Sequence, residues 1–183
     1  RITSALSASA LAGALPVTVL PGRADPATLA LPQQPLHACL LPRAARRGGL
    51  TLAPNPHHCA VGGVQLLCHA GQPLADLEKY VAPRGRLELL AATAGWAHLA
   101  PTTPDTLGCY PFANADPFVL ADLPHVLAAG NQPEFATRLL PAPAGRAPTR
   151  LLCVPAFHAT PLLVLLDLAS LDCLSIDLAQ PQP

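Results

Sequence analysis

Val17-Thr18-Val19-Leu20-Pro21-Gly22-Arg23-Ala24-Asp25 is an apolar run of strand length stopped by a Pro-Gly pair. Two valines flanking a threonine favour an extended, buried segment, and Pro21-Gly22 turns the chain into a loop at the strand's C-terminal end. A second stretch repeats the pattern: Val126 to Ala129 reads as a short strand closed by a turn at Gly130-Asn131. Loops placed at the C-terminal ends of short strands are where open α/β sheets build their sites. Pro21-Gly22 therefore opens a loop where a site could stand, and Gly130-Asn131 closes its strand in the same way.

Further strands are expected at Leu50 to Ala53, at Val61 to Cys68 with an interruption at Gly62-Gly63, and at Arg150 to Val154. Leu162 to Asp167 and Leu171 to Leu178, separated by a short loop, predict a hairpin. Arg84 to Trp96 is the clearest helix, with Leu87, Leu90, Ala91 and Ala94 at three- and four-residue spacing. Ile2 to Leu15 carries a weaker helical period, and Pro73 to Tyr80 is too short to assign. Pro26 to Arg47 and the proline-rich Pro101 to Pro124 read as irregular connections. Short strands with few helices predict an α/β (α+β) unit over residues 1–178, with sheet layers, flanking helices and long irregular loops, and a frayed tail at 179–183.

Composition narrows the function classes. Eleven acidic and eleven basic side chains cancel, so no global field draws the chain to phosphate backbones. DNA contact is expected to be weak or indirect, and the basic cluster Arg43, Arg46 and Arg47 reads first as a solvated loop. The longest apolar run, Leu162 to Leu166, is far below the ~20 residues of a membrane helix, and no membrane partner is expected. Six cysteines without a CxxC pair predict reduced, mostly buried thiols. The chain does not begin with methionine, and it reads as part of a longer protein whose apolar faces need further chain to cover them.

His57-His58-Cys59 and Cys68-His69 are the close His/Cys groups, but zinc needs four convergent ligands and neighbours on a strand point to opposite faces. Asp105 and Asp116 could form an acid/base pair, although aspartate before threonine or proline more often caps a turn. A nucleophile elbow, a Walker A loop and a GxGxxG run are all absent.

Longer segments carry a family resemblance. They are Pro21 to Pro26; Leu31-Pro32-Gln33-Gln34-Pro35-Leu36-His37 with Cys39; Asn55-Pro56, Gly63-Val64 and Gly71-Gln72; and Pro104-Asp105-Thr106-Leu107-Gly108-Cys109-Tyr110-Pro111-Phe112 with Asp116-Pro117-Phe118, Pro124-His125-Val126 and Gly130-Asn131. Over roughly Val17 to Ile176 the chain resembles the small B subunits of eukaryotic replicative DNA polymerases, most closely those of the delta enzyme. The resemblance implies a partial calcineurin-like metallophosphoesterase fold, the C-terminal portion of that domain.

Active members of that superfamily hold two metal ions about 3.5–4 Å apart, on loops of the forms DxH, GDxxD, GNH(D/E) and GHxH. The third corresponds to Gly22-Arg23-Ala24-Asp25 and the last to Gly130-Asn131-Gln132-Pro133. Arg23 and Ala24 stand at the Asn and His positions of the third loop, and Asn131 and Pro133 at the two histidines of the last. A guanidinium cannot ligate a dication and alanine has no donor atom. The resemblance thus implies a non-catalytic scaffold without metal or cofactor, located in the nucleus. Its partners would be the C-terminal region of the polymerase catalytic subunit and further accessory subunits, with Thr106, Tyr110, Phe112 and Phe118 in a contact loop. An active metal-dependent phosphodiesterase or nuclease, or the small accessory chain of the alpha or epsilon polymerase, are the alternatives.

Overall fold

The computed structural model describes residues 14–46, 48–82, 84–142 and 147–179. Most of the expected opening helix, Arg47 of the basic cluster and the frayed tail beyond 179 lie outside the described residues. Nine strands and three α-helices are described: β1 (Val17–Val19), α1 (Pro42–Ala45), β2 (Leu50–Leu52), β3 (His57–Val61), β4 (Val64–His69), α2 (Gln72–Leu77), α3 (Arg86–Gly95), β5 (Val126–Gln132), β6 (Ala136–Leu140), β7 (Thr149–Pro155), β8 (Leu162–Leu166) and β9 (Cys173–Asp177). The result is the mixed α/β architecture that the short strands predicted.

A five-stranded sheet of order β3-β4-β5-β7-β6 forms the centre, with β4, β5 and β7 parallel and an antiparallel strand on each side. Alternate residues of the two middle strands, Leu127 and Ala129 on β5 and Leu151 and Cys153 on β7, lie in register on one face. Leu74 and Leu77 of α2, Leu89, Leu90 and Ala94 of α3, and Phe118 pack on that face as one buried core. The helix turns Leu89, Leu90, Thr93 and Ala94 inward, so of the expected row Leu90 and Ala94 are buried while Leu87 and Ala91 lie at its margin, partly exposed. Arg86 ties the helices together, its Nη2 lying 2.5 Å from Glu78 Oε2.

Two small sheets accompany it. β1 pairs in parallel with β2, and β8 pairs antiparallel with β9 as the expected hairpin. Arg150 of β7 holds the turn of that hairpin, its Nε donating to the Leu171 carbonyl at 2.5 Å and its Nη2 meeting Asp172 Oδ1 at 2.9 Å.

Two expectations are corrected, and one strand was not foreseen. Gly62-Gly63 does not interrupt a strand: both glycines have positive φ (56° and 83°) and form the two-residue turn of the β3–β4 hairpin. Gly130-Asn131 does not end β5, because the strand runs on to Gln132, which pairs with Pro155 after a register shift. Asn131, at φ 54°, makes a bulge inside the strand, since β7 continues to offer partners beyond it. β6, within a proline- and arginine-rich stretch without alternation, had no sequence signal; the β7 edge recruits it, and Arg138 pairs with Glu88 of α3. No helix among the described residues is long and apolar enough to cross a membrane.

Candidate functional site

The loop after β1 and the end of β5 do converge. Gly22, Arg23, Ala24, Asp25 and Asn131 line one cleft of about 410 Å³, together with Ala70–Gln72 from the β4–α2 junction, Ala75, Ala156 and His158. A Cβ built on Gly22 would lie 3.4 Å from Asp25 Oδ2 and 3.5 Å from Asn131 Nδ2, so the two loops nearly touch. Gly130, Gln132 and Pro133 are not among the residues that line the cleft. Gln132 is buried beneath it and folds back, its Nε2 donating to the Gly130 carbonyl at 2.6 Å.

Side chains at the cleft are mostly committed to their own backbone. Asp25 Oδ2 accepts from the Gly22 N–H at 2.7 Å, closing the loop on itself. Asn131 Nδ2 donates to the Ala70 carbonyl at 3.0 Å, bracing β5 against the β4–α2 junction. Arg23 and His158 supply the cationic and imidazole groups. Among the described residues no three His, Cys, Asp or Glu side chains come together as a metal site.

A buried amide network next to the cleft was missed as a site. Gln33 Oε1 accepts from Asn55 Nδ2 at 2.7 Å and from Gln72 Nε2 at 2.8 Å, and Asn55 Nδ2 also donates to Gln72 Oε1 at 3.0 Å. Asn55 Oδ1 accepts from the Ala70 N–H at 3.0 Å, while Gln33 Nε2 donates to the carbonyls of Thr28 at 2.8 Å and Gly22 at 3.3 Å. Gln33 and Asn55 are fully buried, so each amide dipole must be satisfied within the protein. Three connections that look irregular in sequence are thus locked behind the loop. The available signal was that Leu31-Pro32-Gln33, Asn55-Pro56 and Gly71-Gln72 all carried the family resemblance; nothing in their spacing foretold that they meet.

His69 stands at the end of β4 with its Nδ1 accepting from the Gly71 N–H at 3.1 Å. Complete burial lowers its pKa from 6.5 to about 4, keeping the imidazole neutral. Across the hairpin His57 pairs with Cys68, whose thiol is pushed up to about 11 by burial and then by the neighbouring Cys59.

Of the proposed contact loop, Tyr110 and Phe112 are exposed, and Thr106 donates its hydroxyl to Asp76 Oδ2 at 2.6 Å. Phe118 is a correction: at 1% exposure it is a core residue and offers nothing to a partner. Asp116 caps its own turn, Oδ1 accepting from the Phe118 N–H at 2.8 Å, and its Oδ2 lies 2.9 Å from His98 Nε2. Its carboxyl is therefore engaged by its own turn and by the His98 ring, which favours the capping reading over an acid/base pair with Asp105.

A mixed α/β domain whose strand-end loops meet at a cleft closed by its own hydrogen bonds defines the class, and sequence comparison gives the family. Residues 3–137 match the model of the DNA polymerase alpha/epsilon B-subunit family, and the chain belongs to that family. It is similar to DNA polymerase delta subunit 2 of Drosophila melanogaster, with 43% identity over 162 residues, 88% of this chain and 37% of that protein. The DNA polymerase delta small subunits of Oryza sativa and Saccharomyces cerevisiae are 41% and 34% identical over 89% and 85% of this chain, and in each the match spans 38% of the relative. The chain thus spans well under half the length of the curated relatives it matches.

Proposed function

We propose that this chain is part of the non-catalytic accessory (B) subunit of DNA polymerase delta. It scaffolds the C-terminal region of the catalytic chain and joins it to further accessory subunits during replication and repair synthesis in the nucleus. The delta-subunit names of the relatives support the complex, and the cleft supports the absence of chemistry. We read the cleft as the remnant of a calcineurin-like dinuclear site. The observation that carries this is its composition: where two cations would need several imidazole and carboxylate ligands, the meeting loops offer Arg23, Ala24 and Asn131, Asp25 already accepts from Gly22, and His158 is the one imidazole among the described residues of the lining. A fixed guanidinium opposes dication binding, and one engaged carboxylate does not hold a hard ion.

Calorimetry with manganese and hydrolysis of a bis-aryl phosphodiester, on the full-length subunit freed of its catalytic partner, test the loss of chemistry. Neither uptake nor turnover is expected; stoichiometric uptake with turnover abolished by Asp25→Ala would establish the phosphodiesterase instead. Co-purification of the full-length subunit with a polymerase catalytic chain tests the scaffold, and its absence removes that assignment.

A further inference from the structure

The segment 101–124 forms a groove of about 290 Å³ away from the strand-end cleft, walled by Pro104, Tyr110, Phe112 and Pro117. Phe112 is 55% exposed and Tyr110 38%, which for aromatic rings on an irregular loop is a standing cost unless something covers them.

The backbone under these rings is tied to the domain on both sides. Leu31 bridges to Cys109, with the Tyr110 N–H donating to the Leu31 carbonyl at 2.9 Å. On the other side His98 bridges to Val119, and the Leu99 N–H donates to the Phe118 carbonyl at 2.8 Å. A groove held open in this way loses little conformational entropy when it is filled. Aromatic rings separated by prolines present the ridged, apolar surface into which a polyproline II segment fits without having to be ordered first.

Charge selects among such segments. Between residues 101 and 124 there are aspartates and no lysine or arginine, although the chain as a whole is neutral. Asp105 is exposed, and the Asp116 side chain is 46% exposed at the groove. The hydrogen bonds from His98 and from the Phe118 N–H hold the Asp116 carboxyl below its usual range, so it stays ionised. A cation lying over Tyr110 or Phe112 would gain from both the ring face and the carboxylate.

We propose that this groove receives a basic, proline-containing segment of another subunit of the polymerase assembly, its proline rings against Tyr110 and Phe112 and an arginine or lysine against Asp116. The inference rests on the reading of the chain as an assembly subunit. A photo-reactive benzoyl-phenylalanine placed at position 112 of the full-length subunit, in the reconstituted polymerase, reads the occupant directly, since Phe112 is exposed and the replacement keeps an aromatic ring there. The expected cross-link falls on another subunit within about five residues of both a proline and a lysine or arginine. Phe112→Ala is expected to weaken that subunit's binding tenfold or more, and Asp116→Asn to weaken it less while flattening its salt dependence.

A cross-link to nucleic acid, to an acidic or proline-free segment, or to the subunit's own polypeptide overturns the proposal, as does an intact assembly with no cross-link. Failure of the unmodified subunit to assemble at all removes the scaffold reading itself, and the proposal with it.

Discussion

His69 shows how much one buried residue can impose on the whole. Its imidazole is fully enclosed and neutral, with a folded pKa of about 4 against 6.5 in the unfolded chain. A base whose pKa is depressed by folding stabilises the native state fully above pH 6.5, and the contribution is lost as pH falls from there toward 4, because only the unfolded chain takes up the proton. The gap corresponds to about 3 kcal/mol at most. Thermal unfolding of the full-length subunit is therefore expected to fall in temperature across that window. His69→Asn, which keeps an acceptor for the Gly71 N–H, should flatten the dependence by about one proton. An unchanged slope in the variant would locate the effect elsewhere. Asp76 makes a complementary case: burial opposes its ionisation, yet Lys79, the single lysine, and Thr106 outweigh this and lower its pKa. Its stabilisation is present above the unfolded carboxylate value and lost only at more acidic pH.

At the scale of elements, the junction between β4 and α2 is the part with least tolerance. Gly71 has φ +94°, and a Cβ there would lie 2.3 Å from the Gly130 carbonyl and 2.5 Å from Gln132 Nε2. Neither neighbour can yield easily: Gly130 sits in the bulge of β5, and Gln132 is buried and bonded to that same carbonyl. Gly71→Ala is thus expected to cost about 3 kcal/mol or more through backbone strain and overlap together. The loss should be read as a lower unfolding midpoint, whereas Gly85→Ala, with open space at its Cβ, should change little. Equal tolerance at both positions would contradict the close approach of the β4–α2 junction to the bulge.

For the whole molecule, the unpartnered surface is most conspicuous on the β8–β9 hairpin. Leu163 pairs with Ile176 and Leu165 with Leu174, which puts all four on one face, and the three leucines are 45–61% exposed. Two strands alone do not make a stable sheet in water, and an aliphatic face of this kind is a site of association. Expressed by itself, the 183-residue chain is expected to self-associate in light scattering or to melt broadly. A monomer with a sharp cooperative transition would show that the face is harmless. Leu165→Lys with Leu174→Lys should reduce the association without disturbing the core, because both residues face away from it.

The sequence by itself determined the strands with apolar runs, the existence of the helix at Arg86–Gly95, though its buried row includes Leu89 and Thr93 in place of Leu87 and Ala91, and the hairpin at β8–β9. It also marked breaks after β1 and at Gly130-Asn131, because Pro-Gly and Gly-Asn are local signals that need no partner to be read, while the family resemblance made the two loops a pair. Tertiary structure alone decided that Gly130-Asn131 is a bulge and not a turn, since only the neighbouring β7 can extend a strand past residues that would otherwise end it. It decided that Phe118 is core while Phe112, six residues earlier, is surface, a difference no aromatic side chain announces. The amide network of Gln33, Asn55 and Gln72 is the fullest case. Three glutamine and asparagine side chains far apart in sequence carry no local signal that they meet, and they become structure because burial leaves Gln33 and Asn55 no hydrogen-bond partners except each other, Gln72 and the nearby backbone.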